Sequence, residues 1–407
     1  MTRKSGFLDV LNLTVLVAAL GYFVDMFDLL LFPIVRQPSL AAMGVVGPRQ
    51  IEVGALLLNW QMGGMLLGGI LWGILGDKKG RLSTLFGSIA LYSAANLANA
   101  FVGTIPAYAA CRFLAGLGLA GELGAAVTLV SESMPRESRG YGTALVAAVG
   151  MAGTVTAALT GRYFPWRVAY LVGGGLGVLL LFLRVGIRES LIFSGARESG
   201  VSRGDFLSLF TSRERLLRYV RCILIGLPMW FIVGILIIFM PEFGQVLRFA
   251  GKPSPAVAVA FCYGGITVGS VLSGFLSQWW GTRTKVVGVF MAAALLGTAA
   301  FLLGRGFGEG ALYALALWLG LACGYWAVFV TVAAEQFGTN LRATVATTVP
   351  NFVRGAVVLI TNGFIWLKAP LGLLGSAWAV GLTTFVLAGW ALGGLEDTHG
   401  RDLDFLE

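Results

Sequence analysis

About twelve apolar stretches, each close to the ~20 residues that carry a helix across a bilayer, recur along this chain. Their centres fall near Leu20, Gly64, Ala94, Gly118, Gly150 and Gly177, then Phe231, Gly269, Ala293, Leu321, Val357 and Phe385. A soluble domain is about half apolar and a quarter charged. Here 57% of the 407 residues are hydrophobic, 12% are charged, and the mean hydropathy is +0.83. Glycine, at 58 residues, is abundant, as it is in membrane helices. The chain therefore reads as an all-α membrane protein with twelve transmembrane helices, embedded in the lipid bilayer. The basic, apolar start "MTRKSGFLDVLNLTVLVAALGYFVD" superficially suits a signal peptide, but no cleavage site follows and the pattern runs straight into further spans.

The net charge of +9 is topological on this reading, because Lys and Arg collect in cytoplasmic loops and no soluble basic domain exists to bind nucleic acid. The longest polar stretch, "IRESLIFSGARESGVSRGDFLSLFTSRERLLRYVR", lies between the sixth and seventh spans and is rich in arginine. Such a segment belongs at the cytoplasmic face. Lys78, Lys79, Arg81, Arg136, Arg139, Arg283, Lys285 and Arg342 fall on the same side, leaving Arg36, Arg49, Arg248, Lys252, Arg305 and Lys368 outside. An even number of spans then puts both termini in the cytoplasm. The four cysteines all sit in apolar segments without a CxxC, and the single histidine, His399, lies in the polar tail. No metal site, cofactor or intramembrane imidazole is expected, and no GxxxxGK[ST] loop is present for an ATP-driven pump.

The two halves repeat. "GILGDKKGRLST" (Gly73–Thr84) precedes the third span and "GFLSQWWGTRTK" (Gly274–Lys285) the ninth, with Gly73, Leu75 and Gly80 aligning with Gly274, Leu276 and Gly281. Likewise "ESMPRESR" (Glu132–Arg139) ends the fourth span and "EQFGTNLR" (Glu335–Arg342) the tenth. Two matches at nearly one offset argue for a parallel repeat of six plus six helices, the sequence trace of an alternating-access transporter. The expected organisation is a bundle over 1–187, a cytoplasmic linker over 188–217, a second bundle over 218–394 and a tail over 395–407.

"GILGDKKGR" resembles G-x-L-x-D-x-x-G-R, the loop signature of the major facilitator superfamily. The chain is most similar to its metabolite:proton symporters, whose members carry dicarboxylates, citrate, shikimate and proline/betaine. Gly21–Asp28 resembles that subgroup's first-helix pattern, with Asp25 and Asp28 at its acidic positions. Arg112–Gly140 resembles its fourth helix and Trp166–Phe193 its sixth. Ala115 stands where the pattern has Gln, and Met26-Phe27 where it has Trp-Tyr. The match is best in the first half, and the second follows by architecture. The resemblance implies the major facilitator fold, with helices 1, 4, 7 and 10 lining a central cavity, and no cofactor. A monomer is expected.

Asp25 and Asp28 stand three apart inside the first span and so share a helix face. An ionised carboxylate in hydrocarbon costs several kcal/mol, so such acids turn inward and mark a pathway or proton relay. The blander reading puts one of them at the outer interface or in helix packing. On a helical ruler Asp28 lies ~8 Å from the outer end of its span, and Arg112 roughly 10 Å below the outer start of the fourth. With helices 1 and 4 both lining the cavity, as the resemblance implies, Arg112 is expected to face Asp25 or Asp28. Glu122, near the midplane among glycines, is a third candidate for proton coupling or a structural acid. The second half has almost no buried acid on this reading. Its notable charge is Arg354, ~16 Å deep in the eleventh span, beyond Pro350, which is expected to bend the helix. Arg112 and Arg354 are candidates to clamp a carboxylate, since guanidinium offers paired donors; packing is the alternative for Arg354. Asn59, Trp60, Gln61, Trp230, Tyr325 and Trp326 are weaker substrate candidates, because aromatic groups often only anchor or pack.

By resemblance, Gly73, Asp77, Gly80, Arg81, Glu132 and Arg139 form a charge network that shuts the cytoplasmic side. Ion pairs at a wet interface are weak enough to break each cycle. The second copy has Gln278 in place of Asp77, with Arg283 and Glu335 as a possible weaker counterpart. Solvated loop charges are the alternative. The expectation is a proton-coupled importer of a small organic anion or zwitterion in the inner membrane. The runner-up is a proton antiporter that exports amphipathic compounds, and the repeat and gate signatures weigh against a non-transporting sensor.

Overall fold

Apolar helices make up nearly all of the computed structural model, which describes residues 13–79, 81–122, 139–184, 206–251 and 253–399. The first half supplies α1 (Leu13–Ala42), α2 (Arg49–Lys79), α3 (Arg81–Asn99), α4 (Ile105–Leu119), α5 (Arg139–Tyr163) and α6 (Trp166–Arg184). The second supplies α7 (Arg213–Leu224), α8 (Leu227–Phe231), a π-helical segment (Ile232–Ile237), α9 (Met240–Val246), α10 (Pro255–Trp279) and α11 (Thr284–Leu303). It continues with α12 (Glu309–Cys323), α13 (Trp326–Glu335), α14 (Thr339–Gly355) and α15 (Val357–Gly393). Among the described residues eight helices are long and apolar enough to cross a membrane. The all-α membrane architecture expected from the hydropathy pattern is the one observed.

Several spans are broken helices. The seventh runs from α7 through α8 into the π-helical turn, a geometry frequent at functional sites. The tenth breaks between α12 and α13. Gly372 lies at φ 69°, ψ 179° inside α15, just after Pro370, and separates the eleventh span from the twelfth. A side chain at that φ would be strained, so the turn falls where glycine permits it. Pro350, expected to bend the eleventh span, lies inside α14, which ends at Gly355. The Asn351 side chain and the Thr348 hydroxyl bond back to main-chain carbonyls one turn earlier, giving this polar stretch local hydrogen bonds around the proline.

The chain falls into two compact units. One comprises α1 as far as Phe32, then α2 from Gly63 through α6; the other joins the hairpin Pro33–Met62 to the second half. Within each unit a pair of glycines one turn apart brings two helix backbones together. A Cβ on Gly64 or Gly68 of α2 would strike the Phe113 or Leu117 carbonyl of α4. In the second unit Gly265 and Gly269 of α10 stand in the same way against Leu317 and Leu321 of α12. Small residues at such crossings give the van der Waals contact that holds helices together in lipid. The repeat seen in the loop motifs thus recurs in the packing of spans two on four and eight on ten.

Candidate functional site

In the first unit α1, α3, α4 and α6 bring five polar side chains into an apolar interior. Asp25, Asp28, Asn96, Arg112 and Tyr170 are all buried, with Arg112 wholly enclosed. Asp28 experiences the charges of Arg112 and Asp25, and the Asn96 side chain is also among its neighbours. Among the described residues no hydrogen bond of ordinary geometry reaches either Asp28 oxygen, nor Arg112 Nε or Nη2. Acid and guanidinium are therefore neighbours without being locked together. Arg112 is held otherwise: its Nη1 donates to Tyr170 Oη at 3.5 Å, and the guanidinium lies 5.4 Å from the Phe32 ring and 5.6 Å from the Tyr170 ring. The Tyr170 and Tyr108 hydroxyls share a 2.6 Å hydrogen bond, and Tyr108 packs on Phe32 and Trp166. Asp25 and Glu122 are also buried and engaged in interactions of their own.

The expected approach of α1 and α4 through Asp28 and Arg112 is thus present, although the ruler behind it was wrong. α1 continues through Pro33 and Pro38 to Ala42, which places Asp28 about 21 Å of helix from that end. Neighbouring helices satisfy the carbonyls that a proline frees in a membrane helix. Sequence reasoning missed Tyr108, Tyr170 and Asn96. Tyr108 carried a legible signal, lying one turn before Arg112 on the same face. Tyr170 carried none, because only the packing of α6 brings it there.

The second unit overturns two expectations. Arg36, assigned to an outer loop, is wholly buried on α1, and the second half does contain a buried acid, Glu242. The two form an ion pair at 2.7 Å. Its origin is local. Pro241 interrupts the helical ladder, Glu242 N–H bonds to the Phe239 carbonyl, and the Ile238 carbonyl is left to accept from Arg36 Nη2 at 3.0 Å. Arg36 also donates to the Gln50 carbonyl at 3.3 Å and lies 4.7 Å from the Phe239 ring. Farther along the same hairpin Asn59 Nδ2 donates to Asn362 Oδ1 at 2.7 Å, Thr361 donates to Asn59 Oδ1, and Lys368 pairs with Glu52 at 3.6 Å.

Arg354 is buried on α14, where its Nη1 reaches Asn351 Oδ1 at 3.5 Å and its Nε finds no hydrogen bond among the described residues. Trp230 is buried against Trp326 at 6.4 Å, its indole N–H making no hydrogen bond among the described residues. Tyr325 is committed to packing, its hydroxyl donating to the Ile225 carbonyl at 2.9 Å. Gln61 is buried and Trp60 is exposed.

Of the cytoplasmic network, Gly80 and Glu132 lie outside the described residues, as do the side chains of Asp77, Arg81 and Arg139; Gly73 is in α2. In the second half Arg283 does pair with Glu335, at 2.7 Å. The segment after α15 joins them. Asp397 accepts from the Thr282 and Thr284 hydroxyls and from the backbone N–H groups of Arg283 and Thr284 at the start of α11. Thr398 donates to Glu335 at 2.7 Å. Partial burial disfavours the charged Asp397, but the hydroxyl and backbone hydrogen bonds outweigh it and hold the carboxyl well below the usual carboxylate range.

Among the described residues no cluster of His, Cys, Asp and Glu could hold a metal ion. The chain is 27% identical over 317 residues to the niacin transporter NiaP of Acinetobacter baylyi, covering 69% of this chain and 70% of that one. It is 26% identical over 372 residues to a putative niacin/nicotinamide transporter of Bacillus subtilis, covering 83% and 84%. A 3-(3-hydroxy-phenyl)propionate transporter of Escherichia coli matches at 27% identity over about half of each chain, 52% and 53%. A crystal structure of a D-xylose–proton symporter shares the fold, with a TM-score of 0.73 and 16% identity over 98% of this chain and 100% of that one. The family model described as Major Facilitator Superfamily matches residues 6–372. The chain belongs to that superfamily, and it is a membrane transporter rather than an enzyme.

Proposed function

We propose that the protein is a proton-coupled symporter that imports a small carboxylate-bearing anion or zwitterion across the cytoplasmic membrane by alternating access. The observation that carries this reading is the buried, unlocked acid–guanidinium neighbourhood of Asp28 and Arg112. While Asp28 is ionised it compensates Arg112 electrostatically. Protonation removes that compensation and leaves a desolvated guanidinium that favours an incoming carboxylate. Niacin and 3-(3-hydroxyphenyl)propionate, named for the relatives, are both ring compounds bearing a carboxylate. In the second unit Arg354 and the indole N–H of Trp230 are buried donors with capacity to spare, and both suit an anion. Asp25 and Glu122 are further acids for the proton path. Both termini and the Gly73–Arg81 loop are assigned to the cytoplasm, where the loop and its Glu132 and Arg139 counterparts act as the gate.

The test is uptake of niacin and of 3-(3-hydroxyphenyl)propionate into liposomes holding the purified protein under an imposed pH gradient. Wild type should accumulate substrate with alkalinisation of the external medium. Asp28→Asn should lose accumulation against the gradient yet keep substrate exchange. Acidification on substrate addition would overturn symport, and unchanged uphill transport by Asp28→Asn would remove Asp28 from the coupling.

A further inference from the structure

Asp28 and Arg112 sit on α1 and α4, yet a third helix fixes their surroundings. Tyr170 and Gly173 stand three apart on α6 and so share a face. Tyr170 meets Arg112 through its hydroxyl and its ring. Gly173 meets Asp28: a Cβ built there would lie 2.5 Å from Asp28 Oδ1 and 3.0 Å from the Phe27 ring. Neither atom is free to yield. The Asp28 side chain has one methylene, and Phe27 is wholly buried beside it.

We propose that α6 is the positioning platform of the acid–guanidinium site, with Tyr170 holding Arg112 back from Asp28 and the bare Gly173 setting the depth at which the Asp28 carboxylate seats. This rests on the reading of Asp28 as the proton-carrying acid. Tyr170 is suited to the task because it is neutral. A carboxylate in its place would neutralise Arg112 permanently, whereas a hydroxyl and two ring faces hold the cation and leave its charge available. Tyr108 completes the support: its 2.6 Å hydrogen bond fixes the Tyr170 hydroxyl, and its ring is braced by Phe32 and Trp166. Around Asp28 the titratable and charged groups among the described residues are Asp25 on α1, Arg112 and Tyr108 on α4, and Tyr170 on α6, while α3 contributes the neutral Asn96. Without the Tyr170 hydroxyl, Arg112 loses the one side-chain hydrogen bond that its Nη1 makes among the described residues and is free to move relative to the carboxylate. Because charge–charge energy depends on separation in a medium of low dielectric, the proton affinity of Asp28 changes with it.

The experiment needs no substrate. Infrared difference spectra of the purified protein in lipid, recorded across pH, report the carbonyl stretch of protonated carboxylic acids, and Asp28→Asn identifies the Asp28 contribution. Tyr170→Phe and Gly173→Ala should each displace the titration midpoint of that band by half a pH unit or more, about threefold in proton affinity. Gly175→Ala is the control on the same helix, since nothing lies within 4 Å of a Cβ there, and it should leave the midpoint in place. Circular dichroism and size-exclusion profiles establish that each variant is folded. Two folded variants with the wild-type midpoint would overturn the platform. If one variant fails to fold, the other decides. An Asp28→Asn spectrum identical to wild type across pH would instead overturn the reading of Asp28 as the proton carrier, a result separate from any effect at α6.

Discussion

Glu242→Leu removes the acid from the buried pair it forms with Arg36. Arg36 is wholly enclosed, and its charge is met by Glu242 at 2.7 Å, the Ile238 carbonyl at 3.0 Å, the Gln50 carbonyl at 3.3 Å and the Phe239 ring at 4.7 Å. Deleting one partner of a buried pair costs about 3–5 kcal/mol, mostly because an uncompensated charge remains. Two carbonyls and a ring face stay with Arg36, so the lower end applies, about 3 kcal/mol or on the order of 100-fold in the equilibrium that the pair stabilises. Replacing both partners by apolar residues removes the charge along with its compensation and should cost much less. The assay is a double-mutant cycle of Arg36→Met and Glu242→Leu, read by thermal unfolding in detergent micelles. Each single variant should be strongly destabilised, the double variant should lie nearer wild type than either, and the coupling should be about 2–3 kcal/mol. A parallel reading comes from Ser39→Cys, placed one turn after Arg36 at a buried position, in a background lacking the four native cysteines. Its labelling by an impermeant thiol reagent should rise in both single variants. Additivity within about 0.5 kcal/mol, or labelling that does not change, would refute the reading of Arg36 and Glu242 as a buried pair that stabilises this end of α1.

Gly269→Ala should destabilise the second unit by about 2 kcal/mol or more, because the new methyl meets the Leu321 backbone and neither helix can retreat alone; Gly264→Ala, with open space at its Cβ, should behave as wild type in the same thermal assay. Asp397→Asn should cost about 1 kcal/mol, as loss of a helix cap does, and should speed amide exchange at Arg283 and Thr284. The depressed folded-state value means that the charged Asp397 contributes fully above the unfolded carboxylate value near ~3.9 and loses that contribution as pH falls toward the folded one. The stability gap between wild type and Asp397→Asn should therefore be complete near neutral pH and shrink below about pH 4.

The single-residue pattern was legible wherever hydrocarbon imposes a rule on each residue separately. Spans of about 20 apolar residues, the paired loop motifs, and two acids where none should be cheap could all be read along the chain, and Asp28 near Arg112 and Arg283 against Glu335 followed from them. Arg36 shows where that approach stops. It lies close to a predicted span end, and an arginine there reads as a loop charge unless Glu242, 206 positions away, is known to be opposite. Tyr170 and Gly173 are an ordinary aromatic and an ordinary glycine in a chain with 58 glycines, and only the packing of α6 gives them meaning. Asp397 lies in a polar tail, and only the folded chain sets its carboxylate against the start of α11. The sequence alone determined that this is an all-helical membrane protein with acids in its apolar helices, because the cost of burying polar groups acts on composition and spacing. Tertiary structure alone decided which partner meets each buried charge, because hydrogen bonds and ion pairs act over a few ångströms between residues that chain order leaves far apart.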